Sequence, residues 1–283
     1  MKPQYQHHLM TSFMLWFDHT LLQKGQAYSN KTGQLYHIED SRLPDSYKRF
    51  SSPYKQWVTD SSIVGDTNPK IPTGFMESGR DDGFVFDFEN GGIIYTGSNG
   101  PGTDAVITGE FAVKDFNIYL TNQTEEDIIL DSKFSTNSRY NQTESGIQPY
   151  DQVVPAIFIN TEFMRNQGMA LGGEDKTTNT IKAVVLAEDS YQLDGVLSIF
   201  ADTRHVNIQK IPFSGHPGTE YGDLKGGSYN YLNLSSTYES SNPYYIDDVS
   251  VSKLSDRAQQ AVPGDLNVGF IDFEVATSRF PRA

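Results

Sequence analysis

At 283 residues the chain is long enough to bury a substantial core, either as one large domain or as a smaller one carrying insertions. Gly at 24, Pro at 13, Tyr at 16 and Phe at 17, against a hydrophobic fraction of 37%, favour strands joined by turns over long helices. The net charge of −14 argues against attraction to nucleic acid or an anionic membrane, and the absence of Cys excludes disulfides, thiolate catalysis and Cys-ligated zinc.

Leu9, Met10, Phe13, Met14, Phe17, Leu21 and Leu22 recur at the spacing of one helix face, and Gly25 follows as a stop, so the first element is an amphipathic helix. Trp16 widens the apolar stripe, which fits deep burial or contact with a neighbouring subunit. The run is interrupted by Asp18 and His19 and is too short to span a membrane. From residue 28 to about 82 the sequence reads as an irregular, strand-containing arm with short apolar pieces, Trp57-Val58 and Ile63-Val64, between turns at Leu43-Pro44, Pro53, Asn68-Pro69 and Ile71-Pro72. Phe84, Phe86 and Phe88 alternate up to Asn90-Gly91-Gly92, and Ile93-Ile94-Tyr95 follows, a hairpin pattern. With a turn over 97–102 and further extended residues to Val113, the region is expected to form a compact antiparallel β-sandwich module.

Beyond it, 116–120 and Ile128-Ile129-Leu130 read as strands flanking a solvated acidic turn, Glu125-Glu126-Asp127. The polar stretch 135–152 reads as a surface loop. Residues 155–159 and 181–187 are apolar and β-branched and flank a polar excursion over 161–179, so they are expected to pair antiparallel. The excursion, with Gly172, Gly173, Glu174, Asp175 and Lys176 in it, is the candidate partner interface, together with Trp16. Asp189 followed by Gln192 fits an N-terminal cap, and Leu193, Val196, Leu197 and Phe200 predict a helix over about 190–202. Extended structure resumes over 206–211, before a Gly-, Tyr- and Asn-rich stretch to Tyr231. Ile271, Phe273 and Val275 alternate with Asp272, Glu274 and Ala276 as a terminal strand with one apolar and one solvent face.

Little in the sequence carries chemistry. The histidines at 7, 8, 19, 37, 205 and 216 lack metal-ligand spacing. Gly100-Pro101-Gly102-Thr103-Asp104-Ala105 resembles a dinucleotide loop, but strand-like residues follow where a helix is required. Asp87, Glu89, Asp272 and Glu274 are carboxylates on expected strands and would serve a glycosidase if paired; an acidic chain brings such residues together by chance. The reading is non-enzymatic, with no catalytic, cofactor or metal residues and no cofactor.

The order of helix, inserted β module, β-hairpin, helix and final strand resembles the α-β-β-α-β plan of tailed-bacteriophage tail-terminator and neck proteins. The stretches LMTSFMLWFDHTLLQKGQAYSN and IKAVVLAEDSYQLDGVLSIFADT are similar to virion structural proteins of marine tailed phages. The resemblance implies an α+β, β-rich fold: a tail-terminator-like sheet with two helices from 1–27 and 116–283, and the β module inserted at 28–115. It further implies a homo-oligomeric ring of about six or twelve copies between head and tail, assembled in the host cytoplasm, with connector and tail proteins as partners. DNA would pass through an acidic lumen without specific binding. The alternative is a β-sandwich carbohydrate- or receptor-binding module.

Overall fold

The structure is a computed structural model that describes residues 4–71, 83–95, 101–130, 153–169, 173–217, 228–255 and 266–280. The expected loop at 135–152, Gly100, Pro72 and Gly172 lie outside the described residues. The fold is α+β and strand-rich, built on two curled sheets with helices against them.

Helix α1 (Tyr5–Gly25) starts earlier than the apolar spacing indicates, because Gln4 and His7 satisfy each other's backbone donors as a capping box. It ends with Gln26 in the left-handed conformation, φ 48°. Strand β1 (Tyr28–Ile38) gives residues 28–35 to β5 (Ile107–Lys114) and residues 36–38 to β2 (Lys48–Ser51). Strands β3 (Phe84–Asp87) and β4 (Gly92–Tyr95) form the expected hairpin and complete an antiparallel sheet ordered β3-β4-β2-β1-β5. Its turn needs Gly91, whose φ is 64° and whose missing Cβ would collide with the Tyr54 carbonyl. The sheet curls over Leu35, Phe50, Trp57, Ile93, Ile107 and Phe111, and the Trp57 and Phe111 rings stack at 4.6 Å. The strand-containing arm thus supplies an eleven-residue strand, β1, and the described strands of the module form a curled antiparallel sheet. Ile63-Val64 belongs to a short helix, α2 (Ser61–Val64), capped by Asp60.

A six-stranded sheet follows, in the order β6-β7-β8-β11-β10-β9. Its strands are β6 (Asn117–Leu120), β7 (Ala156–Gly168), β8 (Asp175–Ala187), β9 (Asn207–Ile208), β10 (Tyr244–Lys253) and β11 (Asn267–Arg279). All neighbours are antiparallel except β6 and β7. The expected terminal strand is thus central, with β8 on one side and β10 on the other. Ile128-Ile129-Leu130 is helical, not extended, as part of α3 (Glu125–Leu130). There the Thr124 hydroxyl accepts from the Asp127 amide, and the Asp127 carboxylate accepts from the Thr124 amide and hydroxyl. The three acids that read as a turn sit in the first helical turn, where the helix dipole favours negative charge.

Side-chain alternation divides the large sheet into two faces. Ile157, Ile159, Ile181, Ala183, Val185, Ile271, Phe273 and Val275 meet α1 and α4 (Ser190–Ala201), while Phe158, Val184, Leu186 and Val268 form a smaller cluster with Ile128 of α3 on the other side. As the sequence indicates, Asp189 caps α4 by accepting from the Gln192 amide at 2.7 Å. Helix α5 (Tyr231–Thr237), capped by Asn230, follows the Gly-, Tyr- and Asn-rich stretch. On the helix side Phe17 stacks on Phe200 at 4.1 Å, and Phe273 meets Phe13, Phe17 and Phe200 edge-on. Leu22 faces the other way, onto Ala112 of the smaller sheet and Val58 beside it, so α1 is apolar toward both sheets. Replacing fully buried Phe273 with Ala is expected to destabilise the chain by about 3–5 kcal/mol, read as a lower denaturant midpoint in equilibrium unfolding.

Candidate functional site

The residues singled out in the sequence separate into those used by the core and those on an edge. Trp16 is 5% exposed and packs on Phe13, Phe200 and Phe273. Its breadth serves intramolecular packing, which removes it from the partner interface. The polar excursion is not a separate loop: β7 and β8 continue through it as a ribbon, Gly168 opposite Asp175. Gly173 takes the positive φ of 85° in the turn, and the Glu174 carbonyl accepts from the Met169 amide. Nor is the ribbon free on both sides, because β11 accompanies β8 to the pair Asp175–Arg279. Lys176 turns back onto its own chain, with its ammonium 2.7 Å from Asp247 and over the Tyr245 ring; the hydrogen bond to Asp247 raises its pKa.

What the ribbon leaves open is its outer edge. Strand β6 pairs with Ala156–Ile159 only, and the last backbone bond on that side runs from the Thr121 amide to the Ile159 carbonyl. A bulge between Thr161 and Phe163 then turns the strand away. Residues 162–168 are all exposed and, among the described residues, pair with no strand on that side. The opposite margin of the sheet repeats this arrangement. Strand β9 covers Tyr244 and Tyr245 of β10 and the Ile246 amide bonds to the Val206 carbonyl, after which a bulge lies between Ile246 and Asp248. Residues 248–253 run on unpaired on the outer side among the described residues, and only Val249 of them is partly covered. Long open edges of this kind are templates for further strands. The sequence gives no sign of them, since openness depends on where the neighbouring strands stop.

A second cluster joins the two sheets. His19 Nδ1 lies 2.6 Å from the Asp60 carboxylate, both side chains are buried, and the Tyr231 ring stacks on the imidazole at 4.5 Å. Asp60 also accepts from the Ser62 amide and hydroxyl and from the Tyr231 amide. Beside it, Lys114 pairs with Asp18 at 2.7 Å, and the Tyr229 hydroxyl donates to Asp18. A His–Asp contact recurs in nucleophilic sites, but here the carboxylate is occupied by capping α2 and by binding the 229–231 segment. The cluster is a polar knot between α1, the smaller sheet and α5.

The carboxylates weighed as catalytic pairs differ in their surroundings. Asp87 accepts from Arg49 and Asn90, and Glu89 is exposed. Glu274 is on the solvent face as expected. Asp272 is half-buried instead, with Oδ1 sealed from solvent and without a hydrogen-bond partner, and burial pushes its carboxyl up against the pull of Lys182. Lys182 is bound by Glu125 and Glu162 on the same face. Among the described residues no group of His, Asp and Glu is arranged to hold a metal ion, and no helix is long and apolar enough to cross a membrane. The smaller sheet carries a cleft of about 340 Å³ lined by Asn30, Thr32, Asn68, Lys70 and Glu110; Phe111, its aromatic residue, is 1% exposed and offers no stacking surface.

No protein-family model matches the sequence, and a search of curated proteins finds no relative.

The knot makes a prediction about pH. Burial raises the Asp60 pKa, but the hydrogen bonds from His19, Ser62 and Tyr231 outweigh it and hold the carboxyl below its ordinary value. A depressed folded-state pKa adds stability above the unfolded value, and that stability is lost as pH falls through the folded one. Asp60→Asn is therefore expected to unfold at lower urea than the parent at neutral pH, with the difference shrinking below the ordinary carboxylate range. Equal midpoints in urea titrations at every pH would contradict this role.

Proposed function

We propose that the protein is a structural subunit of a tailed-phage virion, of the neck or tail-terminator kind, that acts by joining copies of itself into a ring. The observation that carries this reading is the pair of open edges on the six-stranded sheet, one on β7 and one on β10. A subunit with one open edge can dimerise; two different open edges on one sheet give the head-to-tail contacts from which rings are made. The order α1, β7, β8, α4 and β11, whose three strands are neighbours, supports the tail-terminator-like plan that the resemblance implies. All strands of the smaller sheet fall between Tyr28 and Lys114, in keeping with an insertion at 28–115. The charge of −14 suits a passage that repels DNA phosphate and does not retain it. No step in this role requires a catalytic group.

The cleft on the smaller sheet favours carbohydrate binding as a second reading, since amide, hydroxyl and charged groups converge there. It ranks below the first because sugar recognition draws on exposed aromatic faces and, among the described residues, the cleft has none. Native mass spectrometry and sedimentation separate the two. The ring reading expects a closed oligomer of about six or twelve copies, and a monomer at all concentrations would overturn it.

A further inference from the structure

We infer that the ring contact is one continuous antiparallel ladder, in which β7 of one copy receives β10 of the next with Met164 opposite Val251. This rests on the ring reading and adds to it the two strands, their register and the face each side chain takes.

The argument begins with where the open stretches lie. Through β8, Phe163 is level with Glu274 of β11 and Gly168 is level with Arg279. Through the β10–β11 ladder, Asp248 is level with Glu274 and Lys253 with Gly269. The open part of β7 therefore extends from the level of Glu274 toward one end of the sheet, and the open part of β10 extends from the same level toward the other. They are diagonal to each other and similar in length. Three successive antiparallel pairings separate β7 from β10, so the two strands run in opposite directions. A second copy brought alongside without inverting its strands presents β10 antiparallel to β7.

The register follows from the faces. Met164 is opposite Asn179, whose side chain bonds Tyr5 of α1, so Met164 lies on the helix side. Val251 is opposite Ile271, a member of the helix-side core. Continuing both faces across the joint requires Met164 to meet an odd-numbered residue of β10. Of these, Val251 is the exposed apolar one: Met164 is 38% and Val251 39% exposed. Pairing them sets Phe163 opposite Ser252, Arg165 opposite Ser250 and Gln167 opposite Asp248, with Arg165 and Asp248 as diagonal neighbours of opposite charge. In this position β6 of one copy and β9 of the next stand in line with the added strands, not beside them.

The stagger that results is what a closed ring needs. Matching Met164, at the level of Val275, to Val251, at the level of Ile271, moves each copy four residues along the strands for every four strands, β7, β8, β11 and β10. At about 3.4 Å per residue and about 4.8 Å between strands, copies stay at one height when the strands tilt by about 35° from the ring axis, the lower end of the tilt in closed barrels. An unstaggered pair of edges would demand upright strands, and a two-fold joint of β7 with itself would leave β10 unused.

The chain contains no Cys, so the test is direct. Met164→Cys and Val251→Cys are made as separate full-length variants, both at exposed positions where substitutions leave the fold standing, and circular dichroism checks that they do. After mild oxidation, the mixture is expected to give a covalent dimer that neither variant gives alone, and the double variant a ladder ending at the ring's copy number. Mixing Met164→Cys with Ser252→Cys, on the opposite face, is expected to give no such dimer. A wild-type oligomer by native mass whose mixed variants do not cross-link would overturn this ladder and leave the ring reading in place. Efficient dimers of Met164→Cys alone would overturn it in favour of β7 pairing with itself. A wild-type monomer would remove both readings together.

Discussion

The stack of Phe17 on Phe200, with Phe273 edge-on to both, is the contact on which the large sheet depends. It joins the first helix, the helix that follows the β7–β8 hairpin, and the central strand, which are far apart in the chain and share no backbone ladder. Each ring is fully or almost fully buried, and aromatic pairs in such geometry add to the hydrophobic effect of their burial. With α1 fixed there, its opposite side presents Leu22 to the smaller sheet and His19 to Asp60. The helix thereby acts as a wedge between the two sheets, apolar toward both, with a polar contact at the joint. That explains why its stripe is wider than one sheet face requires.

The two sheets differ in how their margins are managed. In the smaller sheet β5 is flanked by bridges to Trp57 and Lys70, so short segments of the same chain satisfy its outer side. In the larger sheet the flanking strands are abbreviated: β6 and β9 each stop where a bulge begins, and the longer strand continues alone. Bulges and charged residues are common devices for discouraging edge pairing. Here they fall at the inner limit of each open stretch, where they end the intramolecular ladder and leave the outer residues regular. Phe163, Met164 and Val251, each well exposed, stand on these stretches.

What was legible in the sequence was whatever is decided locally. The α1 stripe, the Phe84–Tyr95 hairpin with its glycine turn, and α4 behind Asp189 each announce themselves within a dozen residues, because one periodicity and one capping or turn residue suffice. Within the strand-containing arm the extent of β1 was not legible, since only Leu35 and Ile38 of its eleven residues are buried. In β10 the bulge at Asp247 breaks the alternation of Ile246, Val249 and Val251. Helix α3 was mistaken for a turn and a strand because its apolar residues are few and adjacent, although Thr124 and Asp127 carry the capping pattern. Trp16 marked a wide stripe correctly without saying what covers it. The open edges and the His19–Asp60 contact, which spans 41 positions, are tertiary and have no local signature.

Strand β11 occupies the middle of the large sheet although it is the last of its strands in sequence. During synthesis the strands of the smaller sheet are all available once residue 114 has emerged, but β8 and β10 have no common neighbour until the chain has been made as far as Arg279. The large sheet can therefore close only late, by insertion of a central strand between two waiting ones, which is a slow, non-local step. Without β11, the β6-β7-β8 part and the β10-β9 part of the sheet share no ladder. In such a chain one strand is the keystone: until it is seated, the two halves of the large sheet belong to separate structures.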